Sequence, residues 1–213
     1  MKNYIPLLRA KKLTGHALIT VLCCIAGTGT AAAAETPWQL DKDESGIQLY
    51  TRSVPGSEFL EVKVVARIDA PIQAVAQVLG DGNGCSAWRA MCKSSEVLKV
   101  VSDTERYVYL VLDMPWPLSD RDLVIHSVAQ IDPEAKTVDV RLDSASDAFP
   151  VQDYVRAESS GHYQLKALND AQVEFTYTLH TDIGGDLSPE LINPRMAASS
   201  YDDVKRLQQL VRQ

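Results

Sequence analysis

The chain has 213 residues, of which 46% are hydrophobic, and it carries a formal net charge of −7 at pH 7. This length is enough for one domain with a sizeable core. The acidic balance argues against nucleic acid or an anionic lipid surface as a partner, because both carry negative charge themselves.

The first 34 residues have the pattern of a signal peptide. Four basic side chains within the first twelve positions precede an apolar run of 11 residues, 17–27, and small residues at 32–34 suit cleavage. A helix that spans a bilayer needs about 20 apolar residues, so an uncleaved anchor is the weaker alternative. We predict export to a Gram-negative-type periplasm or secretion, cleavage near Ala34, and a single domain over residues 35–213. Loss of residues 1–34, with four basic and no acidic side chains, changes the net charge from −7 to −11.

Cys85 and Cys92 are the two cysteines downstream of this leader. In an oxidising compartment such a pair forms a disulfide, and we predict one here. Their spacing differs from the C-x-x-C pattern of redox-active pairs, and no histidine lies near either of them in sequence. We therefore predict no metal site.

The predicted elements alternate in a way typical of an antiparallel sheet. Residues 35–46 are interpreted as a short helix or a surface arm. β-branched and alternating runs then predict eight short strands. These strands cover residues 47–52, 59–68, 96–101, 106–113, 123–131, 137–142, 161–168 (begun or preceded by 154–157) and 172–180.

Two longer helices are predicted. The first covers residues 71–79, with Asp69 as its N-cap. The second begins near Ser188, and Pro194 should kink or restart it, with Asn193 capping the second piece. From Pro194 the segment runs to Gln213 with one apolar stripe. The stripe consists of Met196, Ala197, Tyr201, Val204, Leu207, Leu210 and Val211.

A sharp corner separates the predicted strands 106–113 and 123–131. Pro115 and Pro117 lack the amide hydrogen that a sheet ladder needs, so strand pairing should stop between them. The Arg121 fork suits a carboxylate or a backbone carbonyl. We interpret Trp116, Arg121 and Asp122 as a structural corner, with ligand contact by Trp116 and Arg121 as the alternative.

This corner also carries a family resemblance. The run Trp116-Pro-Leu-Ser-Asp-Arg-Asp122, followed by an apolar strand, resembles the signature corner of START (StAR-related lipid transfer) domains. Two strands followed by a helix that begins Ala70-Pro-Ile, and the run Pro189-Glu-Leu-Ile-Asn-Pro194, are similar to the same family. Resemblance to an exported bacterial-type member implies an α+β helix-grip fold, in which a curved antiparallel sheet wraps around a long C-terminal helix and encloses a cavity.

The resemblance implies binding of a lipid or other small hydrophobic ligand, with no need for a cofactor. Transport between membranes, a transient membrane contact and a monomeric state are further expectations. Access to the cavity would require the closing helix or the loop of residues 144–153 to open. The candidate cavity-lining residues are Trp88, Arg89, Tyr107, Tyr109, Trp116, Ile125, Ser127, Phe175, Tyr177, Met196 and Tyr201.

Two other functions remain open at this point. One is an enzyme similar to the cyclases and aromatases of the same superfamily, although the sequence has no Gly-x-Ser-x-Gly motif and its histidines at 126, 162 and 180 show no recognisable partner pattern. The other is a protein-interaction domain whose core is filled by its own side chains. We expect a binding protein rather than an enzyme.

Overall fold

The computed structural model describes residues 36–212, and the predicted signal peptide therefore lies outside the described residues. Ten strands, three helices and one 3-10 turn (Ser146–Ala148) make up this part of the chain. The helices are α1 Ile72–Gly80, α2 Cys85–Trp88 and α3 Pro189–Leu210. The strands are β1 Gln39–Glu44, β2 Ile47–Ser53, β3 Leu60–Ile68, β4 Cys92–Ser102, β5 Glu105–Leu112, β6 Arg121–Asp132, β7 Thr137–Ser144, β8 Val155–Arg156, β9 Glu158–Asn169 and β10 Gln172–Asp182.

All ten strands belong to one sheet. Nine of them follow the order β1-β2-β3-β10-β9-β7-β6-β5-β4 with antiparallel neighbours, and β8 pairs in parallel with the start of β6. The long helix α3 packs on β2 and β3 near one edge of the sheet. The predicted α+β helix-grip architecture is confirmed. Within residues 36–212 no helix is both long and apolar enough to cross a membrane.

Alternation along the central strands decides which face is buried. Val62, Val64, Ala66 and Ile68 of β3 all point to the inner face and are almost inaccessible to solvent. On the neighbouring β10, Val173, Phe175, Tyr177 and Leu179 do the same. The apolar alternation in the sequence therefore indicates the inner face correctly for these strands.

Helix α3 differs from the prediction at Pro194. The helix continues through this residue without a restart, and Asn193 does not cap a second piece. Pro194 lies in the second helical turn, so its missing amide costs only one hydrogen bond, to the carbonyl of residue 190. The Asn193 side chain instead accepts a hydrogen bond from the Leu60 amide at 2.9 Å and donates to the Glu58 carbonyl at 3.2 Å. It thereby joins the start of α3 to the start of β3.

Two expectations at the N-terminal side are also wrong. Residues 39–44 form the edge strand β1 rather than a helix or an arm, because Ser45 and Gly46 both adopt positive φ and turn the chain into a hairpin with β2. Helix α1 has Pro71 at its N-cap position, and Asp69 instead accepts hydrogen bonds from Gln172 and Arg212. The charged, exposed β1 lacks the alternation that predicts a strand.

The corner between β5 and β6 is held by buried charges. Arg121 donates to the carbonyls of Ile183, Gly184 and Ser119. The fully buried Asp122 accepts from Arg156 Nε at 2.8 Å, from Arg156 Nη2 at 3.1 Å and from the Tyr109 hydroxyl at 3.1 Å. Burial acts to raise the pKa of Asp122, but the hydrogen bonds from Arg156 and Tyr109 outweigh it and hold that pKa below its usual range.

Trp116 does not take part in this arrangement. Its side chain is 93% exposed, so the interpretation of Trp116 as a residue that pins the corner is wrong. The prolines on either side of Trp116 end the strand pairing, and the indole between them extends into solvent.

Replacing Asp122 with Ala should lower the free energy of unfolding by about 3 kcal/mol, because the mostly buried Arg156 loses the carboxylate that accepts two of its hydrogen bonds. Urea denaturation measures this loss. The double variant Asp122→Ala with Arg156→Ala should lose less than the sum of the two single variants. Trp116→Ala is the matched control at the same corner, and a loss from it as large as that from Asp122→Ala would contradict this account.

Candidate ligand cavity

A cavity of about 290 Å³ lies against the inner face of the sheet, beside α2 and α3. Strands β5, β6, β7, β9 and β10 provide one wall, and helix residues provide the other. The sheet wall includes Val108, Leu110, Leu112, Leu123, Ile125, Ser127, Ala129, Val138, Val140, Leu142, Tyr163, Leu165, Tyr177 and Leu179.

The strand register brings these residues together in rows. Tyr177 on β10 pairs with Tyr163 on β9, Tyr163 pairs with Val140 on β7, and Val140 pairs with Ala129 on β6. Side chains in one such row point to the same side of the sheet. The row therefore crosses the cavity wall from β10 to β6.

Six of the predicted lining residues do line the cavity, namely Trp88, Arg89, Ile125, Ser127, Tyr177 and Met196. Ile125 and Ser127 belong to the sheet wall, and Tyr177 to the row described above. Trp88 and Arg89 come from α2 and its C-cap, and Met196 comes from α3.

Tyr107 and Tyr109 lie on the opposite, outer face of β5, and the prediction that they line the cavity is wrong. Tyr107 stacks on His126 with ring centroids 4.5 Å apart, and the Tyr109 hydroxyl donates to Asp122. Both faces of β5 are rich in apolar residues, so the alternation alone did not identify the inner one. Its inner face carries Val108, Leu110 and Leu112 instead.

Three more of the predicted lining residues lie elsewhere. Trp116 extends into solvent. Phe175 is fully buried against Tyr163 and Tyr177 and does not reach the cavity. Tyr201 lies on another side of α3, where its hydroxyl donates to the Glu44 carbonyl at 3.2 Å. The helical stripe thus contains residues that pack on β1–β3 as well as residues that face the cavity.

A buried polar group, formed by the side chains of Arg89, Tyr177 and Asp203, lies on the helix side of the cavity. Arg89 Nη2 donates to the Tyr177 hydroxyl at 3.0 Å, and Arg89 Nε lies 3.7 Å from Asp203 Oδ2. Asp203 Oδ1 accepts a hydrogen bond from the Ala90 amide. The sequence reading missed Asp203, although an acidic residue next to Val204 in the apolar stripe of a helix is a signal that could have identified it.

The electrostatics of this group depend on burial. Burial raises the pKa of Asp203 to about 6, against the opposing effects of the Arg89 guanidinium and the Ala90 N–H. Burial also raises the pKa of Tyr177 and of Tyr163, so both phenols stay neutral. Arg89 lines the cavity, and 17% of its side chain is accessible. A guanidinium has five N–H donors, so Arg89 retains donors for a ligand atom.

The segment that carries Arg89 is fixed by packing and by a disulfide. Trp88 is buried, with its ring edge-on to Tyr163 and Tyr177 at centroid distances of 6.0 and 6.4 Å. The predicted disulfide between Cys85 and Cys92 is present, and both cysteines line the cavity. A disulfide that closes a loop this short stabilises the folded protein by about 2–3 kcal/mol.

The two ends of the cavity differ. At what we call the open end, the wall includes the exposed residues Gly80, Asp81, Asp103 and Ile131, and Arg106 donates a hydrogen bond to the Gly80 carbonyl. At the closed end lies a separate apolar cluster. This cluster consists of Phe59, Met114, Ile183 and Ile192, with Met91, Leu118, Leu187 and Met196 packed against it.

The loop of residues 144–153 was expected to guard access to the cavity. It follows β7 at Ser144, which pairs with Ile125 on the side away from the open end, and none of its residues lines the cavity. The cavity reaches the surface instead beside α1, near the turn of the β6–β7 hairpin. The last residue pair before this turn is Asp132 with Thr137.

The histidines of the described residues lie away from the cavity wall. His126 contacts Glu105, His162 contacts Asp139, and His180 contacts Ser57. Among residues 36–212, no group of three or more His, Cys, Asp or Glu side chains is arranged to hold a metal ion.

The curved sheet, the closing helix and an apolar cavity with one buried polar group define a helix-grip domain. The START domain family model matches residues 29–213, and the chain belongs to that family. A STAR-related lipid transfer protein from Xanthomonas axonopodis is 32% identical, with a TM-score of 0.75 over 83% of this chain and 99% of that one.

Two further relatives extend the comparison. An uncharacterized protein from Pseudomonas aeruginosa is 28% identical over 204 residues, which is 92% of this chain and 96% of the relative. Human StAR-related lipid transfer protein 5 is 16% identical, with a TM-score of 0.75 over 87% of this chain and 88% of that one, which shows a shared fold.

Replacing Asp203 with Asn retains the shape of the side chain and the acceptor for the Ala90 amide but removes the ionisable carboxyl. The folded-state pKa of about 6 lies above the value of about 4 for an unfolded carboxyl, so the stability from this group is complete below pH 4 and lost as the pH rises through 6. The unfolding free energy of the wild type, relative to Asp203→Asn, should fall by about 2–3 kcal/mol between pH 4 and pH 7.

Urea denaturation at a series of pH values measures this difference. Asp202→Asn is the control, because Asp202 is the exposed neighbour on the same helix turn. A wild-type profile that runs parallel to that of Asp203→Asn would show that Asp203 does not titrate in this range.

Proposed function

We propose that this protein binds a lipid or another small hydrophobic molecule that carries one polar group, and that it is a binding protein rather than an enzyme. The START fold supports binding of hydrophobic ligands in general. The observation that carries the proposal is the combination of an apolar wall with a buried polar group in one cavity. Sites for small apolar ligands have this composition, with a few placed polar groups that fix orientation.

The two parts of the cavity have different roles in binding. Burial of the ligand chain against the apolar wall provides the affinity, at about 25 cal/mol per Å² before the costs of association. The free donors of Arg89 orient an acceptor atom of the ligand. The Tyr177 hydroxyl and the Trp88 packing hold the guanidinium in position.

The other two candidate functions have less support. A domain with a filled core does not leave 290 Å³ between the sheet and its helices. An enzyme of the cyclase or aromatase type needs a reactive group in the cavity, and the histidines at 126, 162 and 180 lie outside it. The buried carboxyl that does line the cavity, Asp203, is engaged by the Ala90 amide, the Tyr177 hydroxyl and the Arg89 guanidinium.

We also propose that the protein is exported and that it acts as a monomer. The disulfide between Cys85 and Cys92 supports an oxidising compartment such as the periplasm. One chain forms the whole cavity, so binding needs no second copy.

Carriage of the ligand between membranes is a further part of this proposal. The Xanthomonas axonopodis relative is named a lipid transfer protein, and a carrier must contact a membrane at least transiently. Trp116 suits such a contact, because an exposed indole favours the membrane–water interface.

Replacing Ala129 with Phe should abolish ligand uptake, because the new ring would occupy the middle of the cavity in the row of Val140 and Tyr163. Fluorescence titration with the apolar probe N-phenyl-1-naphthylamine measures uptake, and we expect at least about a tenfold loss of affinity. Val128→Phe is the matched control, because Val128 is the residue next to Ala129 and its own side chain points to the outer face. Equal probe binding by both variants would refute a ligand in this cavity.

Replacing Trp116 with Ala should slow transfer of the bound probe between neutral phosphatidylcholine vesicles, by about three- to tenfold, and leave equilibrium affinity unchanged. The reason is that Trp116 lies outside the cavity and contributes only to surface contact. Stopped-flow transfer between donor and acceptor vesicles measures the rate. Leu40→Ala, which also removes an exposed apolar side chain, is the control. Wild-type transfer rates for Trp116→Ala would exclude this residue as the membrane contact.

A further inference from the structure

The cavity is small and extends along the strands as well as across them. Its wall follows β6 from Leu123 to Ile131. Eight residue steps at about 3.3 Å each make this distance roughly 26 Å. A volume of about 290 Å³ along that length leaves room for one aliphatic chain rather than two side by side.

Polar and apolar residues are distributed unevenly along the cavity. Arg89 and Asp203 lie at the row of Tyr177, and Ser159 and Thr181 lie further toward the closed end, where their hydroxyls are 2.8 Å apart. The next row toward the open end, with Leu165 and Val138, is apolar. A ligand with its polar group on Arg89 therefore extends its chain toward the open end.

A second depression begins where the cavity ends. This groove, of about 560 Å³, lies between α1 and the β6–β7 hairpin, and its wall includes Ile72 and Ala167. Three residues line the cavity and the groove alike, namely Ala76, Ile131 and Val138. The cavity and the groove therefore meet at these three side chains.

The groove has the character of a binding surface for an apolar chain. Ile131 is 61% exposed, although it is a large aliphatic residue at the end of a strand. Asp132, Lys136 and Asp170 line the groove as well and give it a charged rim. Of the three residues that line both spaces, Ala76 on α1 has the smallest side chain.

We propose that this groove is a second ligand subsite, which takes the distal end of a single long aliphatic chain whose proximal part fills the cavity. The proposal rests on the proposed function, because it needs a ligand in the cavity. It assigns the ligand to the class of single-chain amphiphiles that are longer than the cavity, with the polar group inside and the chain end between α1 and the hairpin.

The test is a chain-length series of saturated fatty acids from eight to twenty carbons, measured by displacement of N-phenyl-1-naphthylamine. For the wild type, the Kd should keep falling by about two- to fourfold per added carbon after the cavity is full, because each further methylene is buried in the groove. Ala76→Phe, with a large ring where the cavity and the groove meet, should reach a constant Kd at a shorter chain length than the wild type.

Ile131→Asn is the second variant, since an exposed position tolerates substitution if Ala76→Phe fails to fold. It should weaken binding of the longest acids more than that of the shortest, because Ile131 lies where the cavity and the groove meet. Leu168→Ala is the control, because this exposed residue lies at the same end of the sheet and outside the groove.

The possible failures are distinguishable. A wild-type Kd that levels off at the same chain length as that of Ala76→Phe, or equal length dependence in all variants, would overturn the second subsite and leave the cavity function intact. Probe binding without displacement by any acid would also overturn it. Absence of both probe and fatty-acid binding would remove the proposed function together with the subsite.

Discussion

The central constraint in this structure is that one helix covers only part of a wide, curved sheet. Helix α3 packs on β2 and β3, whereas the inner faces of β5, β6, β7 and β9 also carry apolar side chains. The short helices α1 and α2 cover those strands incompletely, so an apolar space remains. The corner with Arg121 and Asp122 maintains this arrangement, because it ties β6 to residues 183–184 before α3 and to Arg156 on β8.

The buried polar group is costly for the fold. A buried ion pair contributes little net stability, and here the Arg89–Asp203 contact is long, at 3.7 Å, while burial pushes Asp203 toward its neutral form. An apolar residue at either position would pack against the cavity wall at lower cost. The cost is understandable if Arg89 also holds the polar atom of a ligand, which connects this group to binding rather than to folding.

The sequence predicts the strands and the inner face well where apolar and polar residues alternate, as on β3 and β10. On β5, where both faces are apolar, the sequence does not identify the inner face. On β1, where neither face is apolar, it does not predict the strand. Asp203 and Tyr201 show a different limit, because a helical stripe reports burial but not which neighbour each side chain contacts. The resemblance at the Trp116–Asp122 corner identified the fold, yet the exposure of Trp116 depends on the loop conformation, which no local pattern predicts.

The central claim is that the cavity beside α2 and α3 binds a ligand. Native mass spectrometry of the purified protein tests it most directly. A mass above that of the bare chain, which disappears after extraction with organic solvent and reappears when the extract is added back, is the expected result. A bare-chain mass before and after extraction, together with no uptake of an apolar probe, would contradict the account.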